Sequence, residues 1–486
     1  MTGTRIQNLI DGCWQAPLTG SYLANLNPAT GESFSEIPRS GVEDVDRAVQ
    51  SAKRAFPAWS QLPVVERAQF LERMADRIEA RADEFARLES QDQGKPVRLA
   101  RQMDIDRVIS NFRFFAGEVR RLENEFFHQE DRGNKCESEV LRKSVGVVGL
   151  ISPWNLPLYL LTWKIAPALA CGNTVVCKPS EFTSMTAALL GEVALEVGLP
   201  AGVLNLVFGL GSPVGEALVR HPQVPVISFT GGTETGKKIY RDSAENFKKI
   251  SLELGGKNPN VIFADADLEQ SVKTSLRSSF LNQGEICLCG SRIYVEESVY
   301  PRFKEMFLSE TKKLKVGDPT DANNFMGALV SMEHLEKVKS YIAMAKAEGG
   351  QVLCGGEAPS DLPVANRRGY FLLPTVIEGL AENSRCVQEE IFGPVVTLST
   401  FRSEEEAIEK ANNVRYGLSA TVWSRDLNKA KRVAAHLDVG TVWINDWLQR
   451  DLRVPFGGMK HSGIGREGGR HSIEFFTEAT TVVTRL

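Results

Sequence analysis

An α/β architecture built on a parallel, doubly wound sheet is what this chain predicts, and two observations carry it. From Val145, short β-branched runs recur: VGVVGLI (145–151), TVVC (174–177), VLNLV (203–207), VPVISF (224–229) and ISLEL (250–254). Helical stretches such as SMTAALLGEVALEVG separate them, and strands alternating with helices imply right-handed crossovers and a parallel sheet. A length of 486 residues exceeds one ordinary core, so two or three domains are expected.

Composition narrows the class. Apolar residues make up 42% and charged residues 24%, which describes a globular chain rather than a disordered one. Net charge is −4 with no Lys/Arg-rich run, so neither nucleic acid nor a membrane surface is an expected partner. The start, MTGTRIQNLIDGCW, has no charged segment leading into a long apolar one, and is not read as a secretory signal. Cys13, Cys136, Cys171, Cys177, Cys287, Cys289, Cys354 and Cys386 follow no framework spacing, which suggests reduced thiols and a cytoplasmic location. No Cys/His cluster has zinc spacing, so no metal is expected.

Before the strands come helices. Val45, Ala48, Val49, Ala52 and Phe56 share one helical face, which Pro57 is expected to end. Ala68, Leu71, Ala75 and Ile78 repeat the period in a second helix, closed by Gly94-Lys95-Pro96. A third, around 104–124, carries Arg107. Between 125 and 143 the pattern turns polar and irregular, fitting either a surface loop or a β-arm.

In a doubly wound sheet, ligands lie beyond the carboxyl ends of the strands. Unusual residues stand there: Ser152-Pro153-Trp154-Asn155 after the first strand, Lys178-Pro179-Ser180-Glu181 after the second, Phe208-Gly209-Leu210-Gly211 after the third, and Thr230-Gly231-Gly232 through Gly236 after the fourth. Glycines that open a helix let phosphate approach backbone N–H groups at the positive end of its dipole. Neither glycine cluster matches G-x-G-x-x-G, and each by itself fits an ordinary turn. Glu181 says more, because a carboxylate after a strand accepts both ribose hydroxyls and repels a 2′-phosphate. That favours NAD over NADP, with Lys178 nearby.

The fifth strand ends in Glu253-Leu254-Gly255-Gly256-Lys257-Asn258-Pro259, and FLNQGEICLCGSR (280–292) follows. A thiol attacks a carbonyl only as thiolate, so Cys287 or Cys289 is a candidate nucleophile if the fold makes it reactive. Taken alone, either fits a small buried core residue equally well. A second α/β unit is expected through Leu329-Val330, Pro374-Thr375-Val376 and Ala420-Thr421-Val422-Trp423. The tail ATTVVTRL reads as an exposed strand able to pair with another chain.

SPWN, KPSE, FTGGTETG, ELGGKNP, NQGEICLCGSR, EEIFGPV and PFGGMKHSGIGREG, in this order, resemble the aldehyde dehydrogenase superfamily. The resemblance implies a Rossmann-type NAD domain (1–124 and 144–254), an α/β catalytic domain (255–455) and a β-strand oligomerisation arm (125–143 and 465–486) in a homodimer or homotetramer. It makes Cys287 the nucleophile, Asn155 with the Cys287 N–H the oxyanion donors, and Glu253 the base for thioester hydrolysis. It assigns NAD contacts to Ile151, Ser152, Trp154, Lys178, Ser180, Glu181, Gly211, Gly215, Phe229, Thr230, Gly231, Leu254, Glu390 and Phe392, with Trp154, Lys178 and Glu181 on the adenosine side. Gly232 replaces a frequent serine and Glu285 a frequent glutamine.

Within the superfamily, NFRFFA, ISPWNLPLYLLTWKIAPALA, NQGEICLC and SGIGREGGRHSIEFFTE most resemble the branch that oxidises amino- and hydroxymuconic semialdehydes. Such aldehydes already carry a carboxylate, so a fixed cation is expected, at Arg107 and Arg450 with Arg453 as a possible substitute. Readings kept open are a general or betaine-type aldehyde dehydrogenase, a CoA-acylating member, and a nucleotide-binding protein without the chemistry.

Overall fold

The computed structural model describes residues 4–486. Its larger sheet has eight strands, in the order Gly463–Ile464, Lys249–Glu253, Val226–Thr230, Val147–Ile151, Thr174–Lys178, Leu204–Leu206, Asn8–Ile10 and Cys13–Gln15. The five strands expected from the sequence form its parallel centre. Val147–Ile151, Thr174–Lys178 and Val226–Thr230 are buried at every residue, which is why they read as continuous apolar runs rather than alternating ones. Numbered along the chain, these five lie in the spatial order 3-2-1-4-5. The winding therefore reverses between Val147–Ile151 and Val226–Thr230, and the crevice at that reversal is where ligands bind in such sheets.

Helices Val42–Gln61, Val64–Ala80, Ala82–Gln93, Asp106–Val119 and Pro157–Ala170 cover the sheet. The first does not end at Pro57 but runs one turn further. Pro57 is exposed, so the Lys53 carbonyl that loses its partner faces water, while buried Trp59 holds the last turn against the core.

After Lys249–Glu253 the chain crosses to a second sheet of seven strands. Their order is Gln351–Cys354, Thr375–Glu378, Val395–Phe401, Arg292–Glu296, Pro259–Ile262, Ser419–Trp423 and Thr441–Ile444, parallel except for the first. Leu329-Val330 joins neither sheet, contrary to expectation. The Leu329 N–H donates to the Tyr370 carbonyl and the Val330 N–H to the Glu285 side chain, so no ladder forms. Gly463–Ile464 returns to pair antiparallel with Lys249–Glu253, and thus brings a late segment beside Glu253.

The polar stretch is a β-hairpin, Glu125–Asp131 and Asn134–Ser144, and the tail strand Thr477–Arg485 pairs with it inside the same chain. The outer edge of the tail carries no strand among the described residues. No helix among them is long and apolar enough to cross a membrane.

Helices Val64–Ala80, Asp106–Val119 and Pro157–Ala170 meet at Phe112 and Phe115, both fully buried. A Phe112→Ala variant is expected to lose about 3–5 kcal/mol of stability. Urea unfolding checks this; an unchanged midpoint would mean the helical layer does not share the sheet's core.

Candidate active site

Cys287 sits in the loop between helix Leu268–Phe280 and strand Arg292–Glu296, where the chain turns sharply. Asn282, Gln283 and Gly284 hold φ values of +53°, +57° and +71°. Three successive left-handed residues reverse the chain and place Cys287 on the wall shared by a cavity of about 660 Å³ and a smaller one of about 270 Å³. Cys289, two residues on, is buried in an apolar cluster, and burial raises its thiol to about 12. It packs, and lines neither of these cavities.

Burial also pushes the Cys287 thiol up, helped by the nearby Glu390 and Glu253 carboxyls and opposed by Arg450. The resting group is therefore the thiol. Asn155 lies just before helix Pro157–Ala170, and its Nδ2 donates one hydrogen to the Glu285 carbonyl at 2.8 Å. Its own carbonyl accepts from Lys95 Nζ (2.9 Å) and Asn282 Nδ2 (3.1 Å), so the residue is held from both ends. The Cys287 N–H makes no hydrogen bond among the described residues.

Glu253 ends its strand beside the larger cavity, with both carboxyl oxygens buried and unpartnered. Burial first, and Glu467 second, raise its pKa well above the usual carboxylate range, while Lys164, Arg450 and Arg466 pull it back. Glu467 bonds Lys164 Nζ at 2.7 Å, and Ser228 Oγ lies 3.0 Å from the same nitrogen. Sequence reading missed this group. Its one signal is Lys164, the only charge in the apolar helix PLYLLTWKIAPALA, since a buried ammonium requires a partner.

The larger cavity holds two expected arginines. Arg450 stacks 3.8 Å from the Phe456 centroid and donates from Nη1 to Tyr159 Oη at 3.1 Å, while its buried Nε and Nη2 have no partner. Arg107 approaches the Tyr159 ring from another element, at 5.6 Å, and has no hydrogen-bond or ion-pair partner among the described residues. Arg453, the suggested substitute, is exposed and tied to Asp451 at 2.5 Å, outside the cavity.

A third cavity, about 400 Å³, lies at the sheet's reversal. Ile151, Ser152, Trp154, Lys178, Ser180, Glu181, Gly211, Gly215, Phe229, Thr230 and Gly231 all line it. Lys178 Nζ donates to Glu181 Oε2 at 2.8 Å, and Ser152 Oγ and Thr230 Oγ1 are buried without partners. Helix Thr233–Ala244 opens beside Gly231 and Gly232. Orphaned hydroxyls, a helix N-terminus and a strand-end carboxylate suit a dinucleotide's pyrophosphate and ribose.

Leu254, Glu390 and Phe392 line the 270 Å³ cavity instead, together with Cys287 and Asn155. Glu390 accepts from the Gly256 N–H at 2.9 Å, and a Cβ on Gly255 would meet its carboxylate, so a larger residue there would have to displace that side chain. The Trp154 ring, expected on the adenosine side, packs edge-on against Phe392 at 5.2 Å and His334 at 4.9 Å, bridging the two cavities. His334 Nε2 lies 2.6 Å from the Phe392 carbonyl, an acceptor, so the nitrogen carries the proton. Nothing in the sequence marked His334, whose helix reads as a solvated one.

Burial first, and then the Lys337 charge beside it, lower His334 from the usual 6.5 to about 4 against the opposing pull of the Phe392 hydrogen bond. The unfolded chain binds this proton below pH 6.5 and the folded one only near pH 4. The natural protein is therefore expected to lose up to about 3 kcal/mol through this residue as pH falls across that window. Thermal midpoints against pH should fall less steeply for His334→Gln; parallel profiles would refute the neutral imidazole.

The aldehyde dehydrogenase family model matches residues 14–482. The 2-aminomuconic semialdehyde dehydrogenase of Danio rerio is 56% identical over 95% of this chain and 94% of its own length. The 2-hydroxymuconic semialdehyde dehydrogenase of Pseudomonas sp. (strain CF600) is 45% identical over 99% of both. A betaine aldehyde dehydrogenase from Staphylococcus aureus, solved in complex with NAD+, superposes with a TM-score of 0.95 at 41% identity, covering 98% of this chain and 94% of that one. A half-buried thiol between two cavities, with a carboxyl on one side and an amide beside it, on a fold and sequence matched over nearly the whole chain, leaves one conclusion: the chain belongs to the aldehyde dehydrogenase family.

Proposed function

We propose that the protein oxidises 2-aminomuconate 6-semialdehyde to 2-aminomuconate with NAD as acceptor and water as the source of the second oxygen. The observation that carries the substrate is the pair Arg107 and Arg450, converging on Tyr159 in the same cavity as Cys287 with unpartnered guanidinium N–H groups. Buried, unpaired cation donors are costly unless an anion completes them. A carboxylate held there directs the other end of a short unsaturated chain at the thiol. The relatives named for 2-aminomuconic semialdehyde support the amino compound; the hydroxymuconate enzyme's name keeps its 2-hydroxy analogue as the second reading.

Cys287 Sγ adds to the aldehyde carbon and gives a thiohemiacetal, its proton passing to a base. Asn155 Nδ2 and the Cys287 N–H face the oxygen that becomes negative, and losing one such donor costs about 10²–10³ in kcat. When bound, the oxidised nicotinamide supplies a hydride acceptor and a positive charge that favours the thiolate. Loss of hydride leaves a thioester on Cys287. Glu253 then takes a proton from water, which attacks the acyl carbon, and the acid departs as the thiol re-forms. A carboxyl whose pKa is raised is the stronger base once ionised. Glu467, buried next to it and paired with Lys164, is a carboxylate that can accept that proton.

The same reading makes the protein a cytoplasmic homodimer or homotetramer. Its support is the open edge of Thr477–Arg485 and the exposed Phe126, Phe127, Val482 and Val483 on that three-stranded sheet.

A Glu253→Gln variant is expected to release about one equivalent of NADH per site in a burst and then turn over at least about 10²-fold more slowly. Stopped-flow absorbance checks it; an unchanged steady state would remove Glu253 from hydrolysis. Arg107→Ala and Arg450→Ala should each lower kcat/KM for 2-hydroxymuconate semialdehyde, a stable stand-in, by about 10–10²-fold. A neutral aldehyde should be little affected; equal losses on both, or none, would return the chain to a general aldehyde dehydrogenase.

A further inference from the structure

Glu285 stands two residues before the nucleophile, is completely buried, and has no part in the chemistry above. Its carboxyl nonetheless accepts three hydrogen bonds. Oε2 accepts from Gln93 Nε2 at 2.6 Å and from Gln283 Nε2 at 3.5 Å, and Oε1 accepts from the Val330 N–H at 3.2 Å. Those donors belong to three separate segments: the end of helix Ala82–Gln93, the left-handed turn, and the stretch leading to helix Met332–Ala347. Its backbone carbonyl, meanwhile, accepts from Asn155 Nδ2 at 2.8 Å and from Asn282 Nδ2 at 3.3 Å, while its N–H donates to the Asn282 carbonyl at 2.9 Å.

We propose that Glu285 is a positioning residue that aims the Asn155 amide at the oxyanion. A primary amide is planar. Its two N–H bonds diverge at a fixed angle, so giving one hydrogen to the Glu285 carbonyl decides where the other points. That carbonyl can serve as a reference only if its peptide plane does not turn. The preceding turn is strained and supplies no regular ladder to hold it. The anchored side chain does so instead, joining the peptide to two parts of the molecule outside the loop. With the Asn155 carbonyl pinned by Lys95 and Asn282, both ends of the oxyanion donor are fixed by groups that never touch substrate. All three donors on the carboxyl are neutral N–H groups, so the anchoring is by hydrogen bonds, and a glutamine could replace only one of the two acceptor oxygens.

The inference depends on Asn155 being the oxyanion donor, and a double-mutant cycle tests the connection. Glu285→Ala should lower single-turnover NADH formation by about 10–10²-fold, in line with misplacing one donor. In an Asn155→Ala background the same change should cost less than about threefold, because nothing remains to be aimed. Glu285→Gln, which keeps the volume, should lose less than Glu285→Ala and show the same coupling. Alkylation of Cys287 by iodoacetamide, which develops no oxyanion, should change by less than about twofold, and NAD affinity should hold. Additive losses in the cycle, a fully active Glu285→Ala, or an alkylation rate that falls with turnover would each overturn the proposal. Failure of the underlying reaction is distinguishable, since the natural protein would then form no NADH from any aldehyde, and the inference would fall with it.

Discussion

Everything in the site hangs on the left-handed turn Asn282-Gln283-Gly284. Non-glycine residues in this region cost about 1–3 kcal/mol each, and two are used in succession. The turn survives because its polar groups are claimed from outside. Asn282 donates to the Asn155 and Glu285 carbonyls, Gln283 Nε2 donates to Gln93 Oε1, and Gln283 Oε1 accepts from the Gly327 N–H. At the third position only glycine fits, since a Cβ on Gly284 would run into the Gly393 carbonyl. The turn is thus clamped between the helical layer of the first sheet and the loops of the second. Neither half of the molecule could hold Cys287 in place without the other.

Around that turn the site is built from charges withdrawn from water. Lys95 with Asp104, and Lys164 with Glu467, are ion pairs with almost no exposure. Burying such pairs gains little stability, and removing one partner is expensive, so they read as devices for fixing geometry. Lys95 holds Asn155 and Lys164 stands beside Glu253. The consequence for the reacting groups is that the Cys287 thiol and the Glu253 carboxyl are both pushed up from their ordinary pKa values, toward their neutral forms. Such a site is quiet until incoming charge and exchangeable protons change its balance. That protects a thiol which would otherwise be oxidised as a standing thiolate.

What the sequence shows of this is the part governed by local rules. Parallel strands buried on both faces read as β-branched runs, and part of the 400 Å³ cavity's lining follows directly after each run, so much of that lining was legible in the sequence. Features that depend on distant partners were not. Pro57 looks like a stop until its solvent exposure is known, and Leu329-Val330 looks like a strand until the Val330 N–H is seen to serve Glu285. Arg453 and Arg450 are three residues apart and equivalent on paper. One is neutralised by Asp451, and the other is held with free donors by Tyr159 and Phe456. His334 and Glu467 come from segments whose local pattern is that of solvated turns and helices, and tertiary burial alone gives them their properties.

Arg450 also ties substrate choice to the chemistry. It lies close enough to Cys287 and Glu253 to lower the pKa of both. A substrate carboxylate docked on its free Nε and Nη2 would neutralise part of that field, and the pKa of each group would then rise. An anionic substrate therefore favours a protonated Glu253 while it is being seated, which spares it repulsion from a second carboxylate in the same cavity. The base becomes available only as its proton moves toward Glu467 or out through the cavity. On the proposed reading, in which substrate and base both carry a carboxyl group, one shared cation between them is the simplest arrangement that binds the first without silencing the second.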